Sequence, residues 1–319
     1  MIEEKINFTE GYLELDSNTK MWYGIYGNPK NNPILIVHGG PGESSEMFEK
    51  EIWNVKKNKY IFFDQRGCGK STPLLELKNN KTDILVEDIE KLRKHLKLNK
   101  LKIYGDGWGT TLTLMYAIKY PQNVAKMFLR SVFLARQEDI DFLFEGKGAN
   151  WFYPKEYEEF TEAVANFDGK TNIEKYYKAL TNRKLDYEYR KKLAINFYKW
   201  EFINILAMDY DNLTSVNKFK IKNEEEAYQL ALLESYYFYN KSFLPSDNYI
   251  LENSNKYKHI PTYIAHGHRD LVARYVGAYL LIEKLDNVKT CCNKYILNHS
   301  VWFIENMIDT IKYCKRLKK

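Results

Sequence analysis

The chain has 319 residues, 45% hydrophobic and 28% charged, with a formal net charge of +6. Those proportions exclude a disordered chain and predict a sizeable core, which the 26 tyrosines must help to line. The positive excess comes from scattered lysines, as in Lys56-Lys57-Asn58-Lys59, and reads as a solvated surface rather than a nucleic-acid-binding patch.

In chain order, residues 6–15 and 21–27 predict two antiparallel strands around Asp16-Ser17-Asn18. The short apolar runs at 34–37 and 60–63 have the look of buried parallel strands. Leu85, Ile89, Leu92 and Leu96 follow helical spacing with charges between them. A third parallel strand is expected at 101–104, then a helix from about 108 that stops before Pro121, then a fourth strand at 126–129. Residues 136–257 are rich in Tyr, Phe, Glu and Lys at helical spacing, with almost no strand signal. Alternation resumes with a strand at 261–265, a helix near 274–285, a strand near 290–297 and a final helix from about 300. This pattern predicts an α/β core from 1–135 and 258–319, interrupted by a helical insertion at 136–257.

Cys68, Cys291, Cys292 and Cys314 fit neither a disulfide framework nor a zinc site, so a reducing, cytoplasmic setting without metal or cofactor is expected. The first residues carry no signal-peptide pattern, and no apolar run approaches the roughly 18 residues of a membrane span, so no membrane partner is expected.

The turn after the third parallel strand reads Gly105-Asp106-Gly107-Trp108-Gly109. Strand, tight turn, helix is the setting of a nucleophile elbow, in which flanking glycines leave room around a strained central residue. The central position is Gly107, which has no side chain to react. Reading Asp106 as the nucleophile instead would put the bulky Tyr104 and Trp108 where small residues are needed. His38-Gly39-Gly40-Pro41-Gly42 follows the first parallel strand and can point a backbone N–H at a developing oxyanion, with Trp108, the residue after the nucleophile position, as the second donor. In Asp64-Gln65-Arg66-Gly67-Cys68-Gly69-Lys70-Ser71 a phosphate loop is excluded, because it needs glycine where Asp64 stands. Asp64 and Arg66 are expected to pair and fix that loop. Asp270 and His299 each follow a late strand, and the chain order of nucleophile position, acid and histidine is that of the α/β-hydrolases.

Together, the run 38–42, the Asp64-Gln65-Arg66-Gly67 turn, the Gly-Trp-Gly elbow and the helix at 86–93 resemble the proline iminopeptidases. The resemblance covers essentially the whole chain. It implies an α/β-hydrolase fold: a mostly parallel sheet of about eight strands with helices on both faces, plus an α-helical cap. It also implies a substrate that is a peptide or small amide with a free N-terminus. Trp200-Glu201 and Glu234-Ser235-Tyr236-Tyr237-Phe238 match motifs whose glutamates bind the substrate α-amine, and Phe142, Phe152 and Tyr153 match aromatic positions near the proline-ring pocket. A cation leaving water for an apolar pocket needs such anionic partners. The departures are Gly107 in place of the family's serine, Gly267-His268-Arg269-Asp270 at the acid and Leu297-Asn298-His299-Ser300 at the histidine; only the first deletes a reacting atom. Three readings stay open: a serine aminopeptidase that has lost its nucleophile, a non-catalytic protein that holds peptide N-termini, and a hydrolase working through Asp106 or water.

Overall fold

The computed structural model describes residues 8–45, 58–206 and 223–293. Strands β1 (Phe8–Glu14) and β2 (Lys20–Gly27) form an antiparallel pair. The turn between them is closed by Asp16, whose Oδ1 accepts the Asn18 and Thr19 N–H groups. Then follow β3 (Ile34–Val37), β4 (Lys59–Phe63), α1 (Thr82–His95), β5 (Leu101–Asp106), α2 (Trp108–Lys119) and β6 (Val124–Arg130). Helices α3 (Gln137–Phe144), α4 (Pro154–Glu162), α5 (Asn172–Thr181), α6 (Tyr187–Leu206), α7 (Glu224–Tyr239) and α8 (Tyr249–Glu252) come next, and β7 (Thr262–Gly267), α9 (Tyr275–Ile282) and β8 (Val288–Asn293) complete the described chain.

The eight strands form one sheet in the order β1-β2-β4-β3-β5-β6-β7-β8. β1, β2 and β4 pair antiparallel; from β4 to β8 every pairing is parallel. The expected α/β fold is therefore present. The central strands are apolar on both faces because both faces are buried. Leu35, Val37, Ile61, Phe63, Ile103 and Leu129 share one core with α1 and α2, while Ile34, Ile36, Tyr60, Phe62, Tyr104 and Phe128 form a second core on the opposite face. The helical segment leaves after β6 and returns at β7, two strands that lie side by side, so it interrupts the chain without interrupting the sheet. The second half of the strand expected near 290–297 and the final helix lie outside the described residues. Among the described residues no helix is long and apolar enough to cross a membrane.

The expected Asp64–Arg66 pair does not form. Asp64 accepts backbone N–H groups instead, from Ser45 and Lys70, both at 2.7 Å. Arg66 turns the other way. Its Nε and Nη2 donate to the two carboxylate oxygens of Asp88 on α1, at 2.5 and 3.0 Å, and its Nη1 donates to Asp16 at 2.6 Å. A planar guanidinium meets a carboxylate best in this two-bond fork, and α1 offers one where Asp64 is already occupied. Asp88→Ala strands a buried guanidinium, and we expect it to lower unfolding free energy by about 3 kcal/mol or more, read by urea denaturation. A loss under about 1 kcal/mol would show that Asp16 alone suffices to hold Arg66.

Candidate active site

The elbow joins β5 to α2. Gly107 caps α2 with φ +51° and ψ −119°, a conformation that strains any side-chain-bearing residue. Its carbonyl accepts the Thr110 N–H at 2.9 Å and the Thr110 hydroxyl at 2.7 Å, which closes the first helical turn. The three glycines differ in what they do. A Cβ on Gly105 would lie 2.4 Å from the Gly109 carbonyl oxygen, and one on Gly109 would lie 2.1 Å from the Val37 oxygen. Both positions exclude a side chain because backbone passes against backbone. A Cβ on Gly107 would meet no described atom within 4 Å. The turn thus keeps the backbone shape and the open space of a nucleophile position. Gly109→Ala is accordingly expected to cost about 3 kcal/mol or more, and Gly107→Ala only the strain of its φ, about 1–3 kcal/mol; paired thermal melts of the two variants check the ordering.

The glycine-rich turn after β3 packs on this elbow: Gly39 faces the Asp106 carbonyl oxygen and Gly109 faces the backbone at Val37 and His38. A buried polar chain ties the two together. His38 Nε2 accepts the Gln65 N–H at 3.0 Å, so its proton sits on Nδ1 and is donated to the Gly39 oxygen. The Gln65 amide donates to the His38 carbonyl and accepts the Trp108 indole N–H at 3.1 Å. Burial lowers the His38 pKa against the pull of Asp64, which keeps the ring neutral, as this network needs. Gly40 holds φ +103°, where a Cβ would strike the Gly42 nitrogen. Trp108 opens α2, so its backbone N–H has no acceptor within the helix. Gln65 was not singled out from sequence; its role depends on two loops meeting, which no local pattern records.

Helix α7 presses onto the same turn. A Cβ on Gly42 would lie 3.0 Å from the Gln229 oxygen, the Leu230 Cα and the Leu233 Cβ, and Gln229 donates to the Gly42 oxygen at 2.6 Å while accepting the Gly69 N–H. The Trp108 and Tyr237 rings meet edge to face at 5.0 Å.

Asp270 follows β7 and is buried, with Oδ1 accepting the Val272 and Ala273 N–H groups at 3.0 and 2.7 Å. His266, buried beside it, accepts the Val132 N–H on Nδ1 and donates from Nε2 to the Ala273 oxygen. Burial pushes its pKa down to about 4, so it is a neutral ring that braces the strand ends. Asp106 lies under the elbow, 3.0 Å from Arg130. His299 lies outside the described residues.

Glu201 of α6 and Glu234 of α7 are both buried and share a hydrogen bond. Burial raises both pKa values; the Glu201 and Glu43 charges raise Glu234 further, while the hydrogen bond from Glu234 lowers Glu201, so Glu234 holds the shared proton and Glu201 accepts it. Their Oε2 atoms have no hydrogen-bond partner among the described residues. A third carboxyl, Glu43, belongs to the glycine-rich turn and was not anticipated. Its Oε2 covers Gly39, 2.6 Å from where a Cβ would stand. It keeps some accessible surface, yet burial, Asp106 and Glu201 push its pKa up to about 8. Phe142 is half-buried, lies against Gly148 and carries the Arg274 guanidinium over its ring at 5.1 Å. Tyr153 is half-buried, whereas Phe152 is 60% exposed and stands at the surface. Among the described residues no cluster of His, Cys, Asp or Glu could hold a metal ion.

The family model for the alpha/beta hydrolase fold matches residues 32–297. The chain is 35% identical over 275 residues to a proline iminopeptidase of Arabidopsis thaliana, covering 85% of this chain and 70% of that one. It is 33% identical over 284 residues to a proline iminopeptidase of Neisseria meningitidis serogroup B, covering 88% and 87%. Among solved structures, a bromoperoxidase from Bacillus anthracis superposes with a TM-score of 0.62 at 16% identity over 97% of this chain and 99% of that one, a likeness of fold alone.

Proposed function

The chain belongs to the proline iminopeptidase family of α/β hydrolases, and from that premise we propose that it binds peptides by a free N-terminal residue, proline foremost, at a hydrolase site whose nucleophile has been lost. The observation that carries this reading is the contrast among the elbow glycines. Packing demands Gly105 and Gly109, while Gly107 retains a strained φ with open space above it.

In this reading residues 136–257 form a cap over the site. Glu201 and Glu234 take the substrate's ammonium: two buried carboxyls with unsatisfied oxygens and only a proton between them gain most from an incoming cation. Phe142 and Tyr153 flank the first side chain, and Phe152 reaches it only if its exposed ring turns inward. The scissile carbonyl then lies over Gly107, its oxygen toward the Gly40 and Trp108 N–H groups, with Asp270 in the role of orienting the His299 imidazole. With a serine at 107, His299 would take its proton, the alkoxide would attack, and the proton would pass to the departing amine. Without that oxygen the chain binds and does not turn over. Use of Asp106 as nucleophile fits less well, because its carboxylate is engaged by Arg130 rather than raised at the apex of the turn.

Calorimetry on the chain as it stands tests the binding step. A peptide beginning with proline should bind about 100-fold more tightly than its N-acetylated form, since acetylation removes the charge that the glutamates neutralise. Equal affinities would end the amine-binding reading.

A further inference from the structure

Granting that amine pocket, we propose that Glu43 is its third carboxylate and that it extends recognition from proline's secondary ammonium to N-terminal residues with a primary ammonium. The placement comes from packing. A Cβ on Gly42 would lie 3.0 Å from the Gln229 oxygen, the Leu230 Cα and the Leu233 Cβ, so the turn runs close against α7, and Glu43 lies within electrostatic range of Glu201 and Glu234. Gln229 locks this register by donating from Nε2 to the Gly42 oxygen and, at 3.4 Å, to the Glu43 oxygen. The Glu43 carboxyl folds back over Gly39, whose missing Cβ leaves it room. It therefore senses both Asp106 of the elbow and Glu201 of the amine pocket.

The chemistry follows from counting donors. A protonated proline N-terminus offers two N–H groups, and Glu201 with Glu234 can accept both. A primary ammonium offers three. In a two-carboxylate pocket the third N–H would be desolvated without an acceptor, a cost that discriminates against such substrates. Glu43, carried by the core rather than by the helical segment, supplies the missing acceptor.

The test uses L-alaninamide and L-prolinamide, each against its N-acetylated form, titrated calorimetrically into the parent chain and into Glu43→Leu, which keeps the bulk over Gly39 and removes the acceptor. The variant should weaken alaninamide by about 10-fold or more and prolinamide by less than about 3-fold. Loss of equal size for both ligands, or no loss for either, overturns the assignment to Glu43. Should Glu43→Leu not fold, the parent chain still decides: N-methyl-L-alaninamide, an otherwise similar secondary ammonium, should bind about 10-fold less tightly than alaninamide, and equal binding would overturn the third-acceptor role. Failure of the amine pocket itself has a separate signature, namely acetylated ligands binding the parent as well as free amines do.

Discussion

Replacing Gly107 with serine is expected to raise the release of N-terminal proline from a prolyl anilide by about a million-fold over the parent chain, the scale on which loss of a nucleophile silences such a unit. The structure favours this gain on three counts. The turn already has the φ and ψ of an elbow, so the new residue inherits a conformation that the surrounding β5–α2 packing holds. No described atom lies within 4 Å of the new Cβ, so the hydroxyl has room. The first turn of α2 and the glycine-rich turn are already joined through Gln65 and Trp108, which keeps their N–H groups in place before any substrate arrives. The cost is strain of about 1–3 kcal/mol at a positive φ, so the variant should melt somewhat below the parent. Gly107→Ala separates the two effects: it carries the strain and should show no turnover. If Gly107→Ser folds, binds a prolyl peptide and still releases nothing, the hydrolase reading of this site fails.

Ligand binding is expected to release protons near neutral pH. Burial raises the pKa values of Glu43, Glu201 and Glu234, and neighbouring glutamate charge raises Glu43 and Glu234 further, so the empty pocket holds protons that an ammonium would displace. Affinity should therefore rise as pH increases from about 6 toward about 8, and fall again once the peptide's own amine, with an ordinary pKa near 8, loses its charge. Calorimetry in buffers of different ionisation enthalpy measures the released protons directly; an enthalpy independent of buffer would contradict the linkage. The same groups set a cost in stability. A carboxyl whose pKa is raised on folding binds its proton in the folded state and not in the unfolded state between the two values, so stability falls as pH rises through that window. Glu234→Gln removes the most strongly raised member. It should weaken binding of prolyl peptides by about 100-fold while raising unfolding free energy at pH 8 by about 1–3 kcal/mol. A variant that loses both affinity and stability would mean that Glu234 supports the pocket structurally rather than as an acceptor.

Much of the fold was legible because buried parallel strands write themselves as short apolar runs: Ile34–Val37 is a strand over just the residues its run suggests, and β5 extends the run at 101–104 by only two residues to meet the elbow. The glycine spacing at 105, 107 and 109 was legible for the same reason, since a tight strand-to-helix turn restricts residue type locally. Glu201 and Glu234 were reachable only through whole motifs, because a lone glutamate on a helix looks like any solvated residue. The partner of Arg66 was misread because Asp64 is near in sequence, whereas Asp88 is brought near by the packing of α1.

By itself, then, the sequence determined the strand and helix order, the elbow and the absence of a side chain at its centre, all properties of local backbone sterics and hydrophobic pattern. The tertiary structure decided the rest. It showed that Gly107, unlike its neighbours, sits under open space; that Gln65 couples the two loops; and that the Glu43 carboxyl folds over Gly39 within electrostatic range of Glu201 and Glu234. Those are relations between segments far apart in the chain, set by how α7 seats on the turn after β3, and residue spacing carries no measure of that contact.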